Sequence, residues 1–138
     1  MSGSNFVTDE ISRLTNGRCR CVTVPYGVDL PRQGRASGRT ERPVGPLKVL
    51  FVGGVGLRKG VPYLLQAARA FKRRQLLLRI VGPVGCERQA LESLCGANVE
   101  LVGPVTRDAV ADQYRWADVF CLPSICEGSA TVVYEALA

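Results

Sequence analysis

The sequence predicts an α/β fold, an open parallel sheet flanked by helices, and three observations lead there. Strand-like and helix-like segments alternate after residue 46, the strand-like ones are nearly continuous apolar runs, and each run stops at a pair of small or turn-forming residues. Strands that are apolar on both faces belong inside a sheet covered by helices, and such sheets join their strands by right-handed crossovers. They take ligands at the carboxyl ends of their strands. Here those ends carry Gly53-Gly54, Gly82-Pro83, Gly103-Pro104 and Pro123-Ser124. Small residues at four strand ends leave room for a ligand along that rim.

The elements follow in order. Asn5–Leu14 reads as a short helix closed by the turn Asn16-Gly17, and Cys19–Val24 as a strand ended by Pro25-Tyr26-Gly27. From Leu30 to Pro46 hydrophobic periodicity vanishes and Pro, Gly, Arg and Ser dominate, which marks a linker. Lys48–Val52 is a buried strand, and Val61, Leu64, Leu65, Ala68 and Phe71 recur at helical spacing. The basic run Lys72-Arg73-Arg74 is expected to close that helix, where cations suit the negative end of its dipole. Leu76–Val81 is a second strand, Cys86–Leu94 a helix, and Val99–Val102 a third strand. Thr106 is placed to cap a helix running through Trp116, with Asp108 in its first turn. Val119–Leu122 is a fourth strand, and Ser129–Ala138 begins a further helix.

Composition narrows the class. Apolar residues make up 46% and charged residues 22%, as in an ordinary globular protein. No apolar run is long enough to cross a bilayer, and Met1–Glu10 is polar with no hydrophobic signal segment, so the expected location is cytoplasmic. The net charge of +6 points to a solvated surface, to an anionic ligand, or to peripheral association with an acidic membrane. No basic stripe interleaved with aromatics supports nucleic acid as a partner. Six cysteines without a single histidine argue against a zinc site and for no bound metal. Most of them are expected to be small core residues of a reduced protein.

Two stretches carry the candidate chemistry. The first, Gly53-Gly54-Val55-Gly56-Leu57-Arg58-Lys59-Gly60, links a buried strand to an amphipathic helix. Glycines let backbone amides approach an anion, and Arg58 and Lys59 set two cations against the positive helix end, a conflict that an anionic ligand resolves. The loop fits neither G-x-G-x-x-G nor G-x4-G-K-[ST] in full, so a plain tight turn with solvated cations competes evenly with a phosphate site. The second stretch runs from Leu122 to Ala138. Glu127 precedes a helix whose first residues, Gly128, Ser129 and Ala130, would offer amide donors, and Glu135 lies further along among apolar neighbours. Each carboxylate alone reads equally well as a cap or a surface group. Taken together, carboxylates that accept hydroxyls, amides, and cations fit a molecule with sugar hydroxyls at both ends and phosphates between: a nucleotide sugar.

The ordered motifs then resemble a known family. V-P-Y-G-V-D at Val24–Asp29, F-V-G-G-V-G-L-R-K-G at Phe51–Gly60, I-V-G at Ile80–Gly82, A-D-V-F-C-L-P-S at Ala117–Ser124 and E-G-S-A-T-V-V-Y-E-A-L-A at Glu127–Ala138, with its E-x7-E spacing, are similar to the family 4 retaining glycosyltransferases of the GT-B fold. The resemblance implies a Rossmann-like donor domain truncated at its C-terminal end (47–138), an interdomain linker (31–46) and the last helix and strand of an acceptor domain (1–30) that is otherwise missing. It implies a nucleotide-diphosphate sugar as donor substrate, with no separate cofactor, and a glycan, lipid or small molecule as acceptor. Lys59 and Arg58 would bind the donor diphosphate, Glu127 the transferred sugar and Glu135 the ribose. Gly128, Ser129 and Ala130 would offer amides to the phosphates, Gly53 and Gly54 would form the phosphate loop, and Gly82 would lie near the nucleoside.

The sequence departs from the family pattern in two places. Gly54 stands where many members have arginine, a role that Arg58 would take over. E-G-S-A replaces the common E-G-F-G, which alters the sugar end of the pocket. The family's mechanism is front-face attack with retention and without a metal, in which the donor phosphate assists the incoming hydroxyl. Catalysis then rests on positioning and on stabilising the departing charge. A sugar-nucleotide epimerase of the same fold and a non-catalytic nucleotide-binding module are the competing functions. The chain alone is expected to be inactive, because an interdomain site cannot close with one wall missing.

Overall fold

The alternation after residue 46 builds a four-stranded, wholly parallel sheet. The computed structural model describes residues 1–28, 44–85 and 88–138. Most of the expected linker, together with Asp29, the basic stretch Arg32–Arg42 and Cys86, lies outside the described residues. Along the chain run α1 (Asn5–Leu14), β1 (Leu47–Val52), α2 (Val61–Ala68), β2 (Leu76–Val81), α3 (Arg88–Leu94), β3 (Val99–Gly103), α4 (Arg107–Trp116), β4 (Val119–Phe120) and α5 (Thr131–Leu137). Contacts divide the described residues into two compact units, one of residues 44–85 and 88–125 and one of residues 1–28 with Cys126–Ala138.

In the sheet unit the strand order is β3-β2-β1-β4. The inner strand β1 is apolar on both faces because both are covered: Leu50 and Phe51 are each fully buried. One face places Val49, Phe51, Leu78 and Ile80 against Val61, Leu65 and Ala68 of α2 and Leu91 of α3. The other face is partly polar. Arg79, in register with Leu50, stacks 4.0 Å from the Trp116 ring centroid, pairs with Glu100 at 2.9 Å and donates to the Gln113 amide oxygen at 3.1 Å. A stacked guanidinium donating to two side chains keeps its hydrogen bonds while its flat faces cover apolar surface.

The other unit contains α1 and α5. Ser4 caps α1 by accepting from the Val7 amide, and Gly17 closes it with a bond to the Ser12 carbonyl. Ser2, Thr8 and Thr23 form a chain of hydroxyls spaced at 2.6 Å. Neither helix buries a residue fully.

Several expectations need correction. Cys19–Val24 is not a strand. Only Thr23 pairs, through an isolated bridge to Ser2, because that partner segment turns into α1 within two residues. α2 stops at Ala68, short of Phe71 and the basic run. The attraction of cations to a helix C-terminus holds, but across space: Arg69 donates to the Leu94 and Ser93 carbonyls at the end of α3, and Arg73 to Ala97. Thr106 takes the N-cap conformation without a side-chain capping bond. β4 is two residues long, and α5 starts at Thr131 rather than Ser129. The cysteines divide. Cys19 and Cys126 are exposed, whereas Cys95 and Cys121 pack against the core, where burial pushes each thiol above its ordinary range. Among the described residues no helix is long and apolar enough to cross a membrane.

The end of α2 depends on Asn98, a buried polar side chain at 5% exposure, whose amide donates to the Ala68 carbonyl at 2.9 Å and the Phe71 carbonyl at 3.2 Å. Asn98→Ala strips both carbonyls of that partner in a buried place. The expected cost is about 2 kcal/mol, seen as a lower denaturant midpoint with an unchanged slope.

Candidate functional site

The strand order locates the rim's natural crevice. β1 leads to β2 and β2 to β3 on one side, and the chain then returns past both to place β4 on the opposite side of β1. The order therefore reverses between β1 and β4, and open α/β sheets take ligands outside the carboxyl ends of the strands at such a point. The loop after β1 is Gly53–Gly60 and the segment after β4 leads through Pro123, Ser124 and Ile125.

Backbone bonds knit this rim together beyond the regular strands. The Gly53 amide donates to Val81 at 2.9 Å, Val55 to Pro83 at 2.8 Å, and Gly85 back to Val55 at 3.0 Å. The two loops thus prolong the β1–β2 pairing through a bridge between Val55 and Val84. Gly82 is buried with φ of 137°, and the space its Cβ would need is filled by the Gly53 carbonyl. Glycine is required there for close backbone approach. At the far end of the loop Gly60 is left-handed (φ 70°) and forms the N-cap of α2, accepting from the Tyr63 and Leu64 amides. The Ile125 amide donates to the Arg58 carbonyl at 2.9 Å, so the β4 segment is pinned to the cationic loop.

The predicted residues fall in two groups. Gly53, Gly54, Arg58, Lys59 and Gly82 belong to the sheet unit, at the carboxyl ends of β1 and β2. Arg58 is exposed, Lys59 half-buried and Gly54 exposed with open space on its Cβ side. Pro62 in the first turn of α2 lacks an N–H, so that helix end offers one backbone donor fewer. Glu127, Gly128, Ser129, Ala130 and Glu135 belong to the other unit. Glu127 and Glu135 are both half-buried. Gly128 to Ala130 form the approach to α5, with Ala130 at its N-cap, and the Ser129 hydroxyl lies 3.4 Å from that of Tyr134. A Cβ on Gly128 would crowd a Val7 methyl.

Sequence reasoning placed Gly60 and Pro123 at the rim without giving either a role, and gave none to Ile125. The glycine immediately after two cations and the proline immediately after a strand were the available signals. Their meeting depends on a strand order that local patterns do not encode. Among the described residues no three Cys, Asp or Glu side chains gather as a metal site would require.

Comparison with known proteins adds a family. The model described as "Glycosyl transferases group 1" matches residues 34–138. A D-inositol 3-phosphate glycosyltransferase of Xylanimonas cellulosilytica is 36% identical over 137 residues, covering 86% of this chain and 33% of that protein. A protein of the same name from Kineococcus radiotolerans is 34% identical over 140 residues, with 86% and 32% covered. The chain thus spans about a third of the length of these curated relatives. Among solved structures, the apo form of a lipopolysaccharide outer core galactosyltransferase superposes with a TM-score of 0.66 over 99% of this chain and 39% of that one. At 18% identity, that likeness speaks to the fold.

Proposed function

The chain belongs to the group 1 glycosyl transferases, and we propose that it supplies the donor-binding part of an enzyme that moves a sugar from a nucleotide sugar to an acceptor hydroxyl with retention. The observation that carries this reading is the order reversal between β1 and β4, with the Gly53–Gly60 loop and its two cations at one side of that crevice. In this reading Lys59 and Arg58 hold the donor diphosphate, Glu127 the hydroxyls of the transferred sugar and Glu135 those of the ribose. Gly53, Gly54 and the approach to α5 at Gly128, Ser129 and Ala130 offer backbone amides, and Gly82 keeps the rim closed beside the nucleoside. A carboxylate accepts from two vicinal hydroxyls, and a cation neutralises phosphate oxygens.

Charge accumulates on the leaving diphosphate as the glycosidic bond breaks. Cations already in place stabilise that charge without reorganising, which is where rate acceleration arises in such a site. The acceptor is a glycan, a lipid or a small molecule; relatives named for D-inositol 3-phosphate favour the small-molecule class. The acceptor-binding contacts belong to a further domain.

The test is calorimetry on the intact chain with uridine, guanosine and adenosine diphosphates in turn. Weak binding of one of them is expected, with Glu135→Ala weakening it about tenfold through loss of charge-assisted ribose contacts. No acceptor-dependent nucleotide release is expected from this chain by itself. Absence of binding by all three nucleotides, or an unchanged affinity in Glu135→Ala, refutes the assignment.

A further inference from the structure

The conformation of the cationic loop depends on a contact that no property of its charges explains. Gly60 sits in the left-handed region at φ 70°, and the position its Cβ would occupy lies inside the contact radius of the Pro123 carbonyl oxygen, with the Pro123 carbonyl carbon beyond it at 2.8 Å. Both neighbours are backbone or proline ring, so no flexible side-chain end can swing aside. An alanine here would force the two backbones apart by roughly 1 Å or more before an ordinary carbon–oxygen contact was restored. Two residues further along, the Ile125 amide donates to the Arg58 carbonyl at 2.9 Å. The cationic pair is thereby bracketed, by a hydrogen bond on the Arg58 side and a close backbone seat on the Gly60 side. Gly60 is itself buried, whereas the flanking Arg58 is exposed.

We propose that Gly60 is a positioning residue: its missing Cβ seats the loop on the Pro123 carbonyl, and that seat, with the Ile125–Arg58 bond, fixes Lys59 for the donor diphosphate. The proposal rests on the donor reading above, but the role it assigns is separate, since a diphosphate could be bound by a loop that adjusts freely. A fixed loop prepays the ordering entropy of its cations, so the seat contributes to affinity without touching the ligand. Lys59 is adjacent to Gly60 in the chain, so a displaced Gly60 backbone displaces the lysine's Cα with it.

The experiment compares Gly60→Ala with Gly17→Ala in the intact chain. Gly17 has nearly the same backbone angle, φ 72°, but open space on its Cβ side, so its alanine carries the left-handed strain without the collision. Two quantities are read: hydrogen exchange at the Ile125 amide, and calorimetric affinity for the nucleoside diphosphate that the unmutated chain binds best. Gly60→Ala is expected to speed Ile125 exchange and to weaken the nucleotide about tenfold, while Gly17→Ala leaves both near their starting values. If Gly60→Ala does not fold by circular dichroism, Ile125→Pro removes the same hydrogen bond without touching the glycine, and about the same loss of affinity is expected. A Gly60→Ala or Ile125→Pro chain that binds as tightly as Gly17→Ala overturns the positioning role alone. If the unmutated chain binds none of the nucleoside diphosphates, the donor reading falls first and the positioning role falls with it.

Discussion

Lys59→Ala is expected to weaken nucleoside diphosphate binding by about 2 kcal/mol, or roughly thirtyfold, the loss of one charge-assisted contact to phosphate. The size follows from where the lysine sits. Lys59 is half-buried beside the buried Gly60, so its side chain starts out more ordered than that of the exposed Arg58. Arg58 is exposed, and Arg58→Ala is expected to cost only a few-fold at physiological ionic strength, with most of that loss vanishing as salt is raised. Lys59→Arg keeps the charge but exchanges a compact ammonium for a longer planar fork, and should recover only part of the affinity. Calorimetry at low and physiological salt separates these cases. If Lys59→Ala binds normally, or if Arg58→Ala does all the damage, the cation roles are reversed or absent.

The same loop shows what the sequence could and could not tell. Its glycines, its cations and its place between a buried strand and an amphipathic helix are local patterns, and all are found where expected. KVLFV reads as a buried strand because it is a near-continuous apolar run, and Leu50 and Phe51 are both buried, which requires cover on both faces. The spacing of Val61, Leu65 and Ala68 matches the face of α2 that meets the sheet. What failed was non-local. The Lys72-Arg73-Arg74 run was expected to close α2, but that helix stops at Ala68, before the run begins. Arg73 finds its carbonyl partner at Ala97, twenty-four positions away in the chain. Cys19–Val24 has the composition of a strand but lacks an extended partner of its own length. Arg79 interrupts an otherwise apolar run, and nothing nearby in the sequence announces Trp116, Glu100 and Gln113 as its partners. The strand order, and with it the crevice between β1 and β4, depends on where the chain returns after α4, which no local pattern records. Glu127 and Glu135 were legible as residue types at a spacing, while their roles rest on the family resemblance.

Phe51→Ala is expected to cost about 3 to 5 kcal/mol, a large part of the stability that a domain of this size possesses. Phe51 is fully buried on the inner strand β1, in one cluster with Val55, Val61, Leu65, Leu78 and Ile80. Removing the ring leaves a cavity under α2 that short, hydrogen-bonded parallel strands cannot collapse to fill. The ring also reaches the rim: its tip lies 3.6 Å from the position a Cβ on Gly53 would take, so the same side chain supports the first glycine of the cationic loop from below. Two consequences separate. Phe51→Leu keeps most of the volume and should cost under about 1.5 kcal/mol globally. Yet it withdraws the part of the ring beneath Gly53, so exchange at the Gly53 and Val55 amides should quicken more than exchange at Leu50. A denaturant series combined with residue-resolved hydrogen exchange reads both. If Phe51→Ala lowers stability by less than about 1 kcal/mol, the core is not centred on β1 as described. If Phe51→Leu leaves the Gly53 amide as protected as before, the rim does not draw its rigidity from the core, and the backbone bonds to Val81 and Pro83 alone hold it.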